Sequence, residues 1–304
     1  MKKDLISVKD LTAREIENIF LLTDKLKKNK ARFSKTLAGK TLVLVFQKPS
    51  NRTRVSFEVG MYQLGGNSIY LSPAEINLGV RECVKDVART LSRYCEAIVL
   101  RTFEHKNVLE LAESASVPVL NGLSDFSHPC QALADIYTIR EKLKKLKGVT
   151  LAYVGDGNNV CNSLLFACAK CGLNMKVGAP AGYAPDKAVL EEAKAIARKN
   201  NAAIELLNNA QDAASGADIV YTDVWASMGQ EQEVQARKEA FGAFQVNTKL
   251  MQSAKKGALV MHCLPAHRGE EITDEVIDSK NSIVFDQAEN RLHVQKAILI
   301  TLLK

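Results

Sequence analysis

Residues 41–66 read TLVLVFQKPSNRTRVSFEVGMYQLGG, and the fold is decided here. Thr41–Phe46 is an apolar, β-branched run, the mark of a buried strand. A polar turn follows, with Pro49, Ser50, Asn51, Arg52 and Thr53. A helical pattern then passes through Val55, Val59 and Leu64 and closes at Gly65-Gly66. Strand, loop and helix in this order put backbone N–H groups and a positive helix end at Ser50–Thr53, which favours an anion. Two hydroxyls and a guanidinium there suit phosphate oxygens. A lone S-x-R-T also describes an ordinary N-cap beside a solvated arginine. Matching pieces downstream decide for the anion.

Working outward, strand-like runs alternate with helical ones along the chain. The strand candidates are Thr41–Phe46, Ser68–Leu71, Ala97–Arg101, Pro118–Asn121, Thr150–Val154, Met175–Ala179, Asp218–Thr222, Ala258–Cys263 and Ser282–Phe285. Amphipathic helices are predicted between them, among others at Lys85–Tyr94, Asn107–Ala115, Asp186–Lys199 and Glu233–Phe241. This alternation predicts an α/β fold of mostly parallel sheets flanked by helices. Nine strands in 304 residues fit two such sheets better than one, hence two domains. The boundary is expected in the helical stretch Gln131–Lys147, giving domains over 1–135 and 136–304. The last helix, about 287–303, is expected to pack back on the first domain.

Composition narrows the function classes. The net charge is +7, and the two basic clusters, Lys25–Lys30 and Lys142–Lys147, lie in exposed helical patterns. Aromatics are few and do not interleave with them, which argues against a nucleic-acid partner. No apolar run approaches the roughly 20 residues of a membrane span. The start, MKKDLISVKDLT, has no apolar core of a secretory signal, so a cytoplasmic protein is expected. Seven cysteines, an odd number, read mostly as reduced thiols. Cys168 and Cys171 form a C-x-x-C inside a helical stretch with no second pair at zinc spacing, so they read as small core residues and no metal is expected.

Each chemistry-bearing motif follows a strand candidate, where an α/β protein places its ligand cleft. Arg101 ends AIVLRT, and His128-Pro129-Cys130-Gln131 follows VPVLNG. His128 can donate to an oxygen, and Gln131 can donate and accept together. Gly155-Asp156-Gly157 invites a dinucleotide reading, but the third small position is Val160 and the next strand ends without an acid. That weighs against nicotinamide binding, and Asn159 is left as an amide for a polar substrate. Asp223 opens DVWASMG, where a carboxylate can hold an ammonium while Ser227 meets a carboxylate. Cys263 lies in HCLP with no His–Asp pairing evident, which favours a binding role over a nucleophile. Arg291 is read as opening the last helix, able to aim its guanidinium into the cleft.

Taken together these motifs resemble the aspartate/ornithine carbamoyltransferase family, in order and over nearly the whole chain. SNRTR is similar to its S-T-R-T-R phosphate loop and HPCQ to its H-P-x-Q. DVWASMGQE and HCLPAHRGEEITDEV resemble the loops of the ornithine branch. The resemblance implies a carbamoyl-phosphate-binding first domain and an ornithine-binding second one. It implies that Ser50, Asn51, Arg52, Thr53, Arg101 and Arg291 hold the phosphate, and that His128 and Gln131 hold the carbamoyl group. Arg101, His128 and Thr53 would polarise the carbonyl. Asn159, Asp223, Ser227 and Met228 would bind the amino-acid head, with Cys263 and the Leu264 carbonyl near the reacting amine. It further implies trimers, or multiples of trimers, in which Asn77 on the loop Glu75–Arg81 reaches the neighbouring site. No cofactor is implied. Asn51 departs from the family's usual threonine. A paralogue using another amine, and a non-catalytic phosphate-binding homologue, are the rival readings. The intact D-x-W-x-S-M-G loop and the full set Arg52, Arg101, His128 and Cys263 weigh against them.

Overall fold

In the computed structural model the described residues are 4–226 and 231–304. They form two compact units, residues 1–137 with 289–304, and residues 138–288.

The first unit runs α1 (Ala13–Lys28), β1 (Thr41–Phe46), α2 (Asn51–Gln63), β2 (Asn67–Leu71), α3 (Pro73–Ile76), α4 (Val84–Leu91), β3 (Ala97–Arg101), α5 (His105–Ser114), β4 (Val119–Leu123) and α6 (Pro129–Leu143). The sheet order is β2-β1-β3-β4, all parallel. β1 and β3 are buried along nearly their whole length, because helices cover a parallel sheet on both faces. Val43, Val45, Ile98 and Leu100 pack with Val84, Val87, Val108 and Leu111 of α4 and α5. α1 starts at a capping box, where Thr12 and Glu15 satisfy each other's backbone N–H groups.

The second unit runs β5 (Thr150–Val154), α7 (Asn159–Cys171), β6 (Asn174–Gly178), α8 (Lys187–Lys199), β7 (Ile204–Leu207), α9 (Ala210–Ala214), β8 (Ile219–Thr222), α10 (Val234–Phe241), α11 (Thr248–Met251), β9 (Leu259–His262), α12 (Asp274–Ile277) and α13 (Val284–Leu303). Its sheet order is β7-β6-β5-β8-β9, again all parallel. α6 and α13 each cross a unit boundary, and α13 from Glu289 onward belongs to the first unit.

Two expectations need correction. Ser282–Phe285 is not a strand; Ser282 makes one isolated bridge to Val260, and α13 has begun by Val284. The ninth strand is Ile204–Leu207, whose mixed burial hides it from an apolar-run search. The inward face of α2 is Thr53, Phe57, Gly60 and Met61, while Val55 is 53% exposed. None of the seven cysteines is in a disulfide. Among the described residues no helix is long and apolar enough to cross a membrane.

Candidate active site

In each sheet the strand order reverses once, next to the first strand of that unit. Ligands of open parallel sheets bind at such switch points, beyond the carboxyl ends of the strands. The first unit has its switch between β1 and β3, and the second between β5 and β8. The loops leaving these four strands carry most of the sequence-predicted site residues.

In the first unit, Ser50 is the N-cap of α2, extended at φ −162°, and its Oγ accepts from the Thr53 N–H at 3.2 Å. Asn51 Oδ1 accepts from its neighbour's N–H, that of Arg52, at 2.8 Å. Arg54, as its spacing to Glu58 predicts, pairs with it at 2.9 Å on the exposed side, a contact worth a few tenths of a kcal/mol. Arg101 ends β3, where the pairing with β4 slips at Gly122 so that Leu100 faces Asn121 but Arg101 faces Leu123. Such bulges re-aim side chains beside functional sites.

His128 precedes Pro129, the first residue of α6, and its carbonyl accepts from the N–H groups of Gln131 and Ala132. That is the N-cap position, with proline where a helix tolerates it. Arg291 lies in the third turn of α13, not at its opening, and is 4% exposed. It donates to Gln131 Oε1 at 2.5 Å and to Thr53 Oγ1 at 3.2 Å. Gln131 in turn donates to Asp135 at 2.8 Å.

The electrostatics follow from this crowding. Arg101 is brought down to about 10, first by burial, then by the guanidinium charges of Arg291 and Arg52. Its Nε is buried with no hydrogen-bond partner. His128 is held well below 6.5 by burial and by Arg291, Arg101 and Arg52, so its imidazole is neutral. An incoming anion stabilises a buried cation such as Arg101 that is pushed toward its neutral form by burial and by other cations.

Two first-unit residues need separate mention. Asn77 follows α3 in the left-handed region at φ 37° and is exposed. Lys48 was passed over in the sequence. It is 7% exposed, with its ammonium 4.2 Å from the Phe103 ring centroid, two residues before Ser50. A buried lysine so close to Ser50 was the available signal.

In the second unit, Gly157 is required by close packing, since a Cβ there would sit 2.2 Å from the Pro185 nitrogen. Asn158, not Asn159, is the N-cap of α7; its Oδ1 accepts from Val160 and Cys161, and its Nδ2 donates to Asp223 Oδ2 at 2.8 Å. Asn159 sits beside it as the first helical residue, partly exposed. Asp223 Oδ1 accepts from the Val224 N–H at 2.8 Å and from the Cys263 thiol at 2.9 Å. Leu264 follows, in the left-handed region at φ 58°. Ser227 and Met228 lie outside the described residues.

The pair His262 and Glu271, both fully buried, supports this turn from below. His262 Nδ1 accepts from the Leu264 N–H at 2.8 Å, so its proton is on Nε2 and is donated to Glu271 Oε1 at 3.1 Å. Asp223, His262 and Cys263 bring ligand-type atoms within 4.8 Å of one another. Both imidazole nitrogens are already engaged, so His262 acts there as a support and not as an open metal ligand.

The family model described as the carbamoyl-P binding domain of aspartate/ornithine carbamoyltransferase matches residues 3–141, and that of the Asp/Orn binding domain matches residues 147–302. The chain belongs to the aspartate/ornithine carbamoyltransferase family. Within this carbamoyltransferase family it is 53% identical to an ornithine carbamoyltransferase of Thermococcus kodakarensis, over 98% of this chain and 95% of the relative. An anabolic ornithine carbamoyltransferase of Pyrococcus furiosus is 54% identical, over 98% of this chain and 95% of its own. The solved structure of ornithine carbamoyltransferase from Pyrococcus furiosus superposes with a TM-score of 0.96 at 52% identity, covering 99% of this chain and 96% of that one.

Proposed function

We propose that this chain transfers the carbamoyl group of carbamoyl phosphate to the δ-amine of L-ornithine, giving L-citrulline and phosphate. The observation that carries this reading is the gathering of Arg52, Arg101 and Arg291 around a helix N-terminus beside a neutral His128. The names of the relatives support the amine. The anabolic name among them supports a place in arginine biosynthesis.

In this reading the Ser50–Thr53 loop, Arg101 and Arg291 bind the phosphate, and Asn77 reaches it from a neighbouring subunit. His128 and Gln131 hold the carbamoyl group. The neutral imidazole donates one N–H to the carbonyl oxygen, and Arg101 and the Thr53 hydroxyl polarise it further. Asn159 and Asp223, with Ser227 and Met228, take the amino-acid head. Cys263 and the Leu264 carbonyl border the amine. The amine lone pair attacks the carbamoyl carbon, a tetrahedral intermediate forms, and the C–O bond to phosphate breaks with its electrons leaving on phosphate. The attacking nitrogen loses one of its two protons to the departing phosphate as citrulline forms. Positioning and aimed cations carry the rate, and we assign the reaction no cofactor.

A trimer, or a multiple of trimers, fits the apolar residues the first unit leaves outside. Val55 and Tyr62, seven residues apart on α2, are 53% and 82% exposed, and Ile69 on the edge strand β2 is 48% exposed. A cytoplasmic location is supported by seven cysteines without a disulfide. The test is citrulline formation from carbamoyl phosphate and ornithine, with putrescine and aspartate in parallel. Product with ornithine alone establishes the substrate; product only with another amine overturns the assignment of Asp223.

A further inference from the structure

Arg237 stands in the second unit on α10 and belongs to none of the motifs above. It is 6% exposed, and a buried guanidinium is costly unless every side of it is met. Here four groups meet it. Nη1 lies 3.1 Å from Asp156 Oδ2, in the loop leaving β5. The same nitrogen donates to the Trp225 carbonyl at 2.8 Å, just past β8. Nε donates to Glu233 at 2.8 Å, and the Tyr183 ring centroid is 5.0 Å from the guanidinium carbon.

The two loops it joins are those that carry Asn158 and Asp223. Asp156 is two residues before Asn158, and the Tyr153 hydroxyl ties them by donating to the Asp156 carbonyl at 2.9 Å and to Asn158 Oδ1 at 3.2 Å. Trp225 is two residues after Asp223 and is clamped by Phe241, stacked at 5.9 Å between centroids. The 2.8 Å bond from Asn158 to Asp223 given above bridges side chains of the two loops directly. Arg237 adds a second tie, holding the first loop by the Asp156 carboxylate and the second by the Trp225 carbonyl.

We propose that Arg237 is a positioning residue for the amino-acid substrate, locking the loops after β5 and β8 together so that Asp223, held by Asn158, keeps the geometry that receives the ammonium. This rests on the proposed function for the identity of the substrate. Arginine suits the place because one planar group reaches a carboxylate on each side and a carbonyl between them. Lysine offers one point charge and cannot span the three.

The experiment compares the wild type with Arg237→Gln, Arg237→Lys and Asp156→Asn in steady-state kinetics, varying each substrate in turn. A loss of ground-state positioning for one substrate alone raises that substrate's KM by about tenfold or more while the other KM stays within about twofold. The expected result is this split on ornithine for Arg237→Gln, a smaller rise of the same kind for Asp156→Asn, and partial rescue in Arg237→Lys. A merely structural role lowers the active fraction, so kcat falls with both KM values unchanged; that outcome overturns the proposal. An unchanged ornithine KM in folded Asp156→Asn also overturns it, even if Arg237→Gln fails to fold. If the wild type carbamoylates a different amine, the functional reading falls, and the same split is read on that amine's KM.

Discussion

The two switch points handle charge in opposite ways. At the first, the charged groups that shift Arg101 and His128 are all guanidiniums, and both residues are driven toward their neutral forms. At the second, charge is met as it is placed: Asp156 has Arg237, and Asp223 is held by Asn158 and Cys263. Even so, burial raises Asp156 to about 6, with Arg237 opposing it and Asp223 and Glu233 adding to it. In the proposed reading the difference reflects the ligands. A phosphate brings its own negative charge and completes a site left cationic. A zwitterionic amino acid brings both signs, so its pocket needs shape and oriented acceptors more than net charge.

The sharpest way to break this contrast is at Arg101. Arg101→Gln is expected to lower kcat by about 10²–10³, while the melting temperature without substrate does not fall, because a buried cation repelled by two others is removed. A stable, fully active variant would remove Arg101 from the site. The amino-acid side is tested by pH. The δ-amine attacks only when neutral, and an alkylamine has a pKa near about 10.4, so apparent ornithine affinity should rise by up to about tenfold per pH unit between 7 and 9. A flat profile would mean that the pocket binds the ammonium and deprotonates it only later.

The third test concerns His128 and stability. Its folded value is depressed below the ordinary 6.5, so its contribution to stability is present above that pH. As pH falls below 6.5 the unfolded chain takes up a proton that the folded chain refuses, and stability is lost, by at most about 1.4 kcal/mol per pH unit for this one group. Melting curves from pH 7 to 5 should fall less steeply for His128→Gln than for the wild type. Equal slopes would place the titration elsewhere. The smallest effect is expected at Asn51, whose side chain occupies the Arg52 N–H that a phosphate would use. Asn51→Thr should tighten carbamoyl phosphate binding by an amount of the order of one hydrogen bond, about 0.5–1.5 kcal/mol. Calorimetric titration showing weaker binding would assign Asn51 a direct contact instead.

Much of this was legible in the residues. Long apolar runs such as TLVLVF and AIVLR can be buried only in a parallel sheet covered on both faces, and the turn chemistry after them marks the ligand ends. Ser50, Arg101, His128 and Asp223 stand out in the sequence because each ends a strand candidate or lies in the turn after one. The errors lie where local pattern is silent. The inward face of α2, with Phe57 and Met61, is set by packing and was not read from the sequence. Ile204–Leu207 carries too few buried residues to show as a strand.

By itself, then, the amino-acid sequence determined the alternation of elements, the parallel sheets and the loops that bear chemistry, since these follow from periodicity, propensity and turn residues within a few positions of one another. Only the tertiary structure decided that Asn158 meets Asp223, that Arg291 reaches Thr53 and Gln131 from the third turn of α13, and that Arg237 joins the loops around Asp223. Those are contacts between residues 12 to 238 positions apart, set by how strands order in a sheet, and a hydrogen bond of that span leaves no period in the chain.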